Sequence, residues 1–175
     1  MSDKLNFIFS RRSIRKFTEG QVPKADIEQI IKAGMAAPSA INKRPWHVTV
    51  ITDPETRMRI AGDQRHWQSC KAAGVVLIVS GVKDRFQEGV SPTDTAFWQQ
   101  DCSAATQNIL LAATALGYGS LWMGVYPMQY AIDALKAAFP LPDTLVPFSL
   151  ISIGIAGEEK EARTQYEEEQ VTWYS

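Results

Sequence analysis

The sequence is poor in the residues that usually announce chemistry. It holds two cysteines, Cys70 and Cys102, and two histidines, His47 and His66, in 175 residues. Two thiols this far apart make neither a metal-ligand spacing nor a redox pair nor a disulfide framework, so they read as ordinary thiols in a reducing compartment. His47 falls inside a strand pattern and His66 sits beside Trp67. Neither has partners at zinc-ligand spacing, so both read as structural and no metal site is expected. No nucleophile-elbow signal marks a serine hydrolase. Excess charge of one sign is also lacking, since 18 basic and 19 acidic side chains leave a formal net charge of -1. That balance argues against a protein presenting a basic face to nucleic acid or to a membrane surface. No stretch approaches the roughly 20 apolar residues of a bilayer-spanning helix, and Met1–Ser10 has no signal-like apolar run. With 45% hydrophobic residues, the expectation is one soluble, cytoplasmic domain over residues 1–175.

What is present is a mixed order of helices and strands without repeats. DKLNFIFSRR reads as a short first helix with Asp3 as its N-cap. ADIEQIIKAGMAA places Ile27, Ile30, Ile31 and Gly34 on one helical face, and Pro38 ends it. WHVTVIT alternates as a strand. DPETRMRI opens a helix with Asp53 as cap and Pro54 at the first helical position. GVVLIVSG, from Gly74 to Gly81, is a continuous apolar run of strand length. Gly81 to Phe97 holds charges, Gly89 and Pro92, and reads as a loop and candidate lid. From about Asp94 to Leu116, small and aliphatic residues recur at helical spacing. SLWMGV then reads as a strand, YPMQYAIDALKAAF as a helix and FSLISIGI as a strand. The polar tail ends in Val171, Trp173 and Tyr174, apolar groups that ask for a surface to bury them, such as a second subunit.

Four stretches carry candidate chemistry. RRSIRKF gathers Arg11, Arg12, Ser13 and Arg15. If the first helix continued, Arg11 and Arg15 would share a face, and arginine forks with a hydroxyl suit a phosphate. A solvated basic helix end is the plainer alternative. APSAINKRPW is a proline-bounded loop presenting Ser39 and Asn42, and an asparagine amide matches the alternating donors and acceptors of a heteroaromatic edge. A simple asparagine turn explains it equally. LGYGSLWMG lacks the third glycine of a dinucleotide fingerprint and runs from helix into strand, the wrong order for one. It fits either a helix cap at Gly117 and Gly119 or close backbone approach to a flat ligand. Arg163 is a lone arginine among glutamates, readable as an exposed ion pair. The chain thus offers ligand-holding groups rather than acid, base or nucleophile, the pattern expected when a cofactor carries the reaction.

In this order, RRSIRKF, APSAINKRPW, LGYGSLWMG and IGIAGEE with EARTQYEEEQV resemble the nitroreductase family of FMN-dependent enzymes over nearly the whole chain. The resemblance implies an α+β fold, a central, mainly antiparallel sheet flanked by helices, assembled as an intertwined homodimer with FMN at the interface. It implies that Arg11, Arg12, Ser13, Arg15 and Arg163 hold the phosphate and ribityl chain. Pro38, Ser39 and Asn42 would reach the ring from the other subunit, and Ser120, Leu121, Trp122 and Gly124 would line it on the remaining side. Arg44 stands where the family often has glutamine, and Ala156 where proline is frequent. Arg44 would add a cation near the flavin, favouring its reduced anion or an acidic substrate. The implied reaction is ping-pong hydride transfer from NADH or NADPH through flavin N5 to a small acceptor such as a nitroaromatic or quinone, with no catalytic side chain required. Phe86, Phe97 and Trp98 are candidate substrate walls or core residues. The rival expectations are a flavin carrier or sensor without turnover, and a cofactor-free interaction domain.

Overall fold

The apolar run around Val75–Val82 is strand β2, and its place in the sheet explains why it shows no alternation. Val75, Leu77 and Val79 join one hydrophobic cluster while Val76 and Ile78 join another on the opposite face. A strand buried on both faces has no solvent side to keep polar. The structure, a computed structural model, describes residues 3–86 and 97–174. Residues 87–96, most of the expected lid and the start of the expected long helix, lie outside the described residues.

The other strands are β1 (Trp46–Ile51), β3 (Gly119–Gly124) and β4 (Leu145–Gly154). They form one sheet in the order β1-β2-β4-β3, antiparallel at every pairing. Helices α2 (Lys24–Met35) and α5 (Phe97–Ala115) contribute Ile27, Ile30, Ala105 and Ile109 to the first cluster. Helices α3 (Pro54–Ala61), α4 (Ser69–Ala72) and α6 (Gln129–Ala138) contribute Ile60, Cys70 and Leu135 to the second. Helices therefore cover both faces of the sheet. Gly34 lets α2 and α5 meet, because a Cβ there would stand 2.6 Å from the Ile109 side chain. Buried hydroxyls on β4 find partners across the layers: Ser149 meets Thr106 at 3.1 Å and Ser152 meets Ser69 at 3.1 Å. Both thiols are buried, which pushes Cys70 up to about 11 and Cys102 up to about 12. They are unreactive core thiols.

Two expectations for the N-terminus are corrected. Helix α1 is only Asn6–Ser10, with Leu5 rather than Asp3 at the N-cap position. It stops at Arg11, whose backbone is extended, so Arg11 and Arg15 share no helical face. Tertiary pairing wins over helix continuation here: Ser13 bridges Ser120, Ile14 N–H donates to Ser120 O at 2.9 Å, and Phe17 bridges Ala156.

The start of α3 follows the sequence closely. The Asp53 carboxylate accepts from Thr56 N–H at 2.8 Å and from Thr56 Oγ1 at 2.6 Å, with Pro54 at the helix start. These bonds to Thr56 hold the carboxyl below its ordinary range. A depressed folded-state pKa means stability present above the unfolded value and lost as pH falls through the folded one. Asp53→Ala is therefore expected to lower the melting temperature at pH 7. The difference from the parent protein should shrink as pH is lowered through the carboxylate range, as a pair of thermal melts would show.

Candidate cofactor site

The site is built where the extended segment after α1 lies against β3 and the chain leaving β4. Gly119 admits that approach, since a Cβ on it would come within 2.9 Å of the Ile14 side chain. Glu158 then fastens the basic segment from the far side. Its carboxylate accepts from Arg15 N–H at 2.6 Å and Lys16 N–H at 3.3 Å and pairs with Lys160 at 3.3 Å. These contacts, led by the Arg15 N–H bond, hold the Glu158 carboxyl below its ordinary range. Lys160 Nζ also donates to Ser13 O at 2.7 Å. Arg12 donates to the carbonyl of Glu161, and Arg163 N–H donates to Phe9 O at 2.9 Å. Together these bonds bring the tail back to the N-terminal arginines.

The result is a basin of about 80 Å³ lined by Arg11, Arg12, Ser13, Arg15, Lys160 and Arg163. Burial lowers the Arg11 pKa, and Arg163 and Arg12 lower it further. Like charges so gathered repel one another until an anion enters, which is the electrostatic signature of a phosphate or carboxylate site. Ser120, bridged to Ser13 at the edge of the basin, has its Oγ buried without a hydrogen-bond partner among the described residues.

Arg15 also borders a second, larger cavity of about 350 Å³. Its walls include Leu121, Trp122, Met123 and Gly124 from β3, together with Gln64, His66 and Trp67 from the connection between α3 and α4. Apolar walls with a few polar groups fit a flat heterocycle, and the volume falls in the range of small-ligand sites. A group with a phosphate at one end and an aromatic ring at the other matches the two joined cavities, so the residues present fit FMN.

The motif residues divide into two sets. Arg11, Arg12, Ser13, Arg15 and Arg163 meet in the basin, with Ser120 beside it, and Leu121, Trp122 and Gly124 line the larger cavity. Pro38 and Ser39 instead line a third cavity of about 380 Å³ with Phe97 and Asp101, sharing no wall with the first two. Burial raises the Asp101 pKa, while its Oδ1 accepts from Ala40 N–H at 2.9 Å. Asn42 Oδ1 accepts from Arg44 Nε at 2.8 Å. Ile41, Asn42 and Arg44 all take positive φ, of 43°, 58° and 48°, a conformation that costs energy for side-chain-bearing residues and gathers at ligand clamps. Trp98 is only 3% exposed and belongs to the core, with Phe86 stacked on it at 4.7 Å. Of the three candidate walls, Phe97 is the exposed one, at 38%.

Lys160 was hidden in the sequence by its place in an acidic run, and Gln64, His66 and Trp67 by an unremarkable inter-helix turn. Only an aromatic flanked by polar residues between two short helices hinted at them. Among the described residues, no cluster of His, Cys, Asp and Glu could hold a metal ion, and no helix is long and apolar enough to cross a membrane.

Comparison with known proteins points to one family. The nitroreductase family model matches residues 8–69 and 62–155. A protein of Archaeoglobus fulgidus, provisionally named NADH dehydrogenase/NAD(P)H nitroreductase, is 40% identical over 92% of this chain and 90% of its own. A Parabacteroides distasonis structure with the same provisional name superposes with a TM-score of 0.88 at 31% identity, covering 100% of this chain and 99% of the other. An FMN-dependent nitroreductase from Clostridium difficile superposes at 0.84 and 27% identity, covering 98% and 99%. With the family model matching most of the chain and relatives alike over nearly its full length, the chain belongs to the nitroreductase family.

Proposed function

We propose that the protein is an FMN-dependent oxidoreductase that takes hydride from NADH or NADPH and reduces a small conjugated acceptor, such as a nitroaromatic or quinone, in ping-pong order at one site. The observation that carries this reading is the junction of the cationic basin with the larger cavity at Arg15. Bound FMN supplies the chemistry, reversible hydride uptake at N5 of its ring. The protein's own residues bind and orient. Arg11, Arg12, Ser13 and Arg163 hold the phosphate, and Arg15 spans phosphate and ring. Leu121, Trp122 and Gly124 form one wall of the ring site, while Ser120 offers a hydroxyl next to Ser13. No acid or base from the chain is needed for the hydride step.

The assembly we propose is a homodimer. Its support is apolar surface that the chain leaves uncovered: Ile41 is 71% exposed, Trp173 81% and Tyr174 96%. Val171, Trp173 and Tyr174 stand exposed within four residues of one another, and apolar groups clustered in this way mark an interaction surface. The strained loop carrying Pro38, Ser39 and Asn42, remote from its own chain's basin, would then serve the partner's ring site. Removing residues 171–175 should turn a dimer mass in solution into a monomer mass and weaken FMN binding. A parent protein that is monomeric at all concentrations would refute the dimer.

The direct test of the function is an anaerobic absorbance titration of the FMN-loaded protein with NADH and with NADPH. Bleaching of the bound flavin band supports the reading and identifies the donor. A bound flavin that neither donor reduces points to a carrier or sensor, and failure to bind FMN refutes the cofactor assignment.

A further inference from the structure

The loop from Ser39 to Arg44 holds a shape that its own residues resist. Ile41, Asn42 and Arg44 carry side chains yet take φ of 43°, 58° and 48°, a region such residues enter only where the surrounding structure imposes it. Hydrogen bonds close the loop on itself. Asn42 N–H donates to Ser39 O at 3.0 Å, Lys43 N–H to Ala40 O at 3.0 Å, Arg44 N–H to Ser39 Oγ at 2.9 Å and Arg44 Nε to Asn42 Oδ1 at 2.8 Å. Bonds inside the loop fix its local shape. They do not fix where that shape sits on the protein.

The ties to the rest of the chain differ in kind. Arg85 Nη1 donates to Arg44 O at 3.2 Å from an exposed position. Asp101 Oδ1 accepts from Ala40 N–H at 2.9 Å, and Asp101 is only 7% exposed. Seven positions further along α5, on the same face, Asn108 Nδ2 donates to Ala33 O at 3.1 Å. One face of α5 therefore holds the end of α2 through Asn108 and the loop after it through Asp101. Among the described residues no Lys, Arg or His side chain pairs with Asp101. Its carboxylate therefore serves the backbone N–H rather than an ion pair. Burying a carboxylate in this way is unfavourable unless its hydrogen bonds are made, and a bond from N–H to a carboxylate is stronger than one between neutral groups. Asp101 also lines the third cavity with Pro38, Ser39 and Ala40, so the anchor and the loop face one space.

We propose that Asp101 is a positioning residue for the ring site: through Ala40 N–H it holds the left-handed loop so that Ser39 and Asn42 meet the ring bound by the partner subunit. The inference rests on the dimer and flavin reading above. Asp101 takes no part in hydride or proton transfer and acts through the loop. Without its bond the loop relaxes toward negative φ and withdraws Ser39 and Asn42, while the arginines of the basin keep their places. Ring affinity is lost and the phosphate contribution is kept.

The test is calorimetric titration of flavin-free protein with riboflavin and with FMN, on the parent, Asp101→Ala, Asp101→Leu and Asp101→Asn, with a thermal melt and a solution mass for each. Asp101→Ala and Asp101→Leu are expected to weaken both flavins by the same factor, at least about tenfold, with the dimer mass kept. These two variants differ in bulk, which guards against one that fails to fold. Asp101→Asn should restore both affinities to within about threefold of the parent, because an amide oxygen accepts the same N–H. Ile60→Val, in the cluster on the opposite face of the sheet, should lower the melting temperature and leave both affinities unchanged. Parent-like binding of both flavins by a folded Ala or Leu variant makes Asp101 a merely structural residue and overturns the proposal. An Asn variant as weak as the Ala variant, or a loss confined to FMN, overturns it as well. Flavin binding by a monomeric parent removes the loop from the ring site and this assignment with it. A parent that binds neither flavin overturns the cofactor reading itself.

Discussion

Arg11→Met is expected to weaken FMN binding by about tenfold to a hundredfold, leave riboflavin binding nearly unchanged, and leave the melting temperature of the flavin-free protein unchanged or raised. The argument starts from the basin, where Arg11 is partly buried and its pKa is lowered by that burial and by Arg163 and Arg12. In the absence of an anion these cations destabilise one another, so removing one relieves repulsion. With a phosphate in place the same guanidinium contributes charge-assisted hydrogen bonds, each worth about 1.5 to 3 kcal/mol, which sets the size of the expected loss. A residue there for structure would behave oppositely: its removal would lower the melting temperature and disturb both flavins alike. The comparison of FMN with riboflavin isolates the phosphate, because the two ligands share ring and ribityl chain. The FMN advantage should also shrink with added salt, as it does for partly exposed charges. Equal losses for the two flavins would remove Arg11 from the phosphate site.

Trp98→Ala is expected to destabilise the fold by about 3 to 5 kcal/mol, the usual cost of truncating a buried large aromatic. Trp98 packs face to face with Phe86 at 4.7 Å and edge-on to Tyr126 at 4.8 Å and Phe148 at 5.9 Å. It also fills the space over Gly81, where an added Cβ would lie 2.5 Å from its ring. For a chain of this size that loss lowers the melting temperature by roughly 6 to 20 °C. The neighbouring Phe97→Ala should cost much less than Trp98→Ala, because Phe97 is 38% exposed against 3% for Trp98. If Trp98→Ala kept the parent melting temperature and altered only the KM for an acceptor, Trp98 would be a substrate wall after all.

These two residues also mark how far the sequence reached. Arg11 was legible because charge density is a one-dimensional property: RRSIRKF stands out in a nearly neutral chain. Its conformation was not legible. Four-residue spacing would put Arg11 and Arg15 on one face if the first helix continued, but the backbone donors of Ile14, Arg15 and Lys16 are taken by Ser120 and Glu158, partners more than a hundred residues away. Trp98 and Phe97 are adjacent in sequence and opposite in burial. Composition treats them alike, and the side on which α5 meets the sheet separates them.

The elements themselves were largely decided by local physics. The continuous apolar run of β2, the Asp53–Pro54 start of α3, the periodicity of α2 and α5 and the glycine end of α5 each depend on residues within a few positions of one another. The ordered motifs likewise carried the family. Tertiary structure alone decided that Lys160 joins the arginines, that Gln64 and His66 face the β3 wall, and that Pro38 and Ser39 stand apart from their own chain's basin. Each of these depends on which segments the sheet order β1-β2-β4-β3 brings side by side. That order is set by long-range pairing and burial, for which single-residue spacing carries no signal.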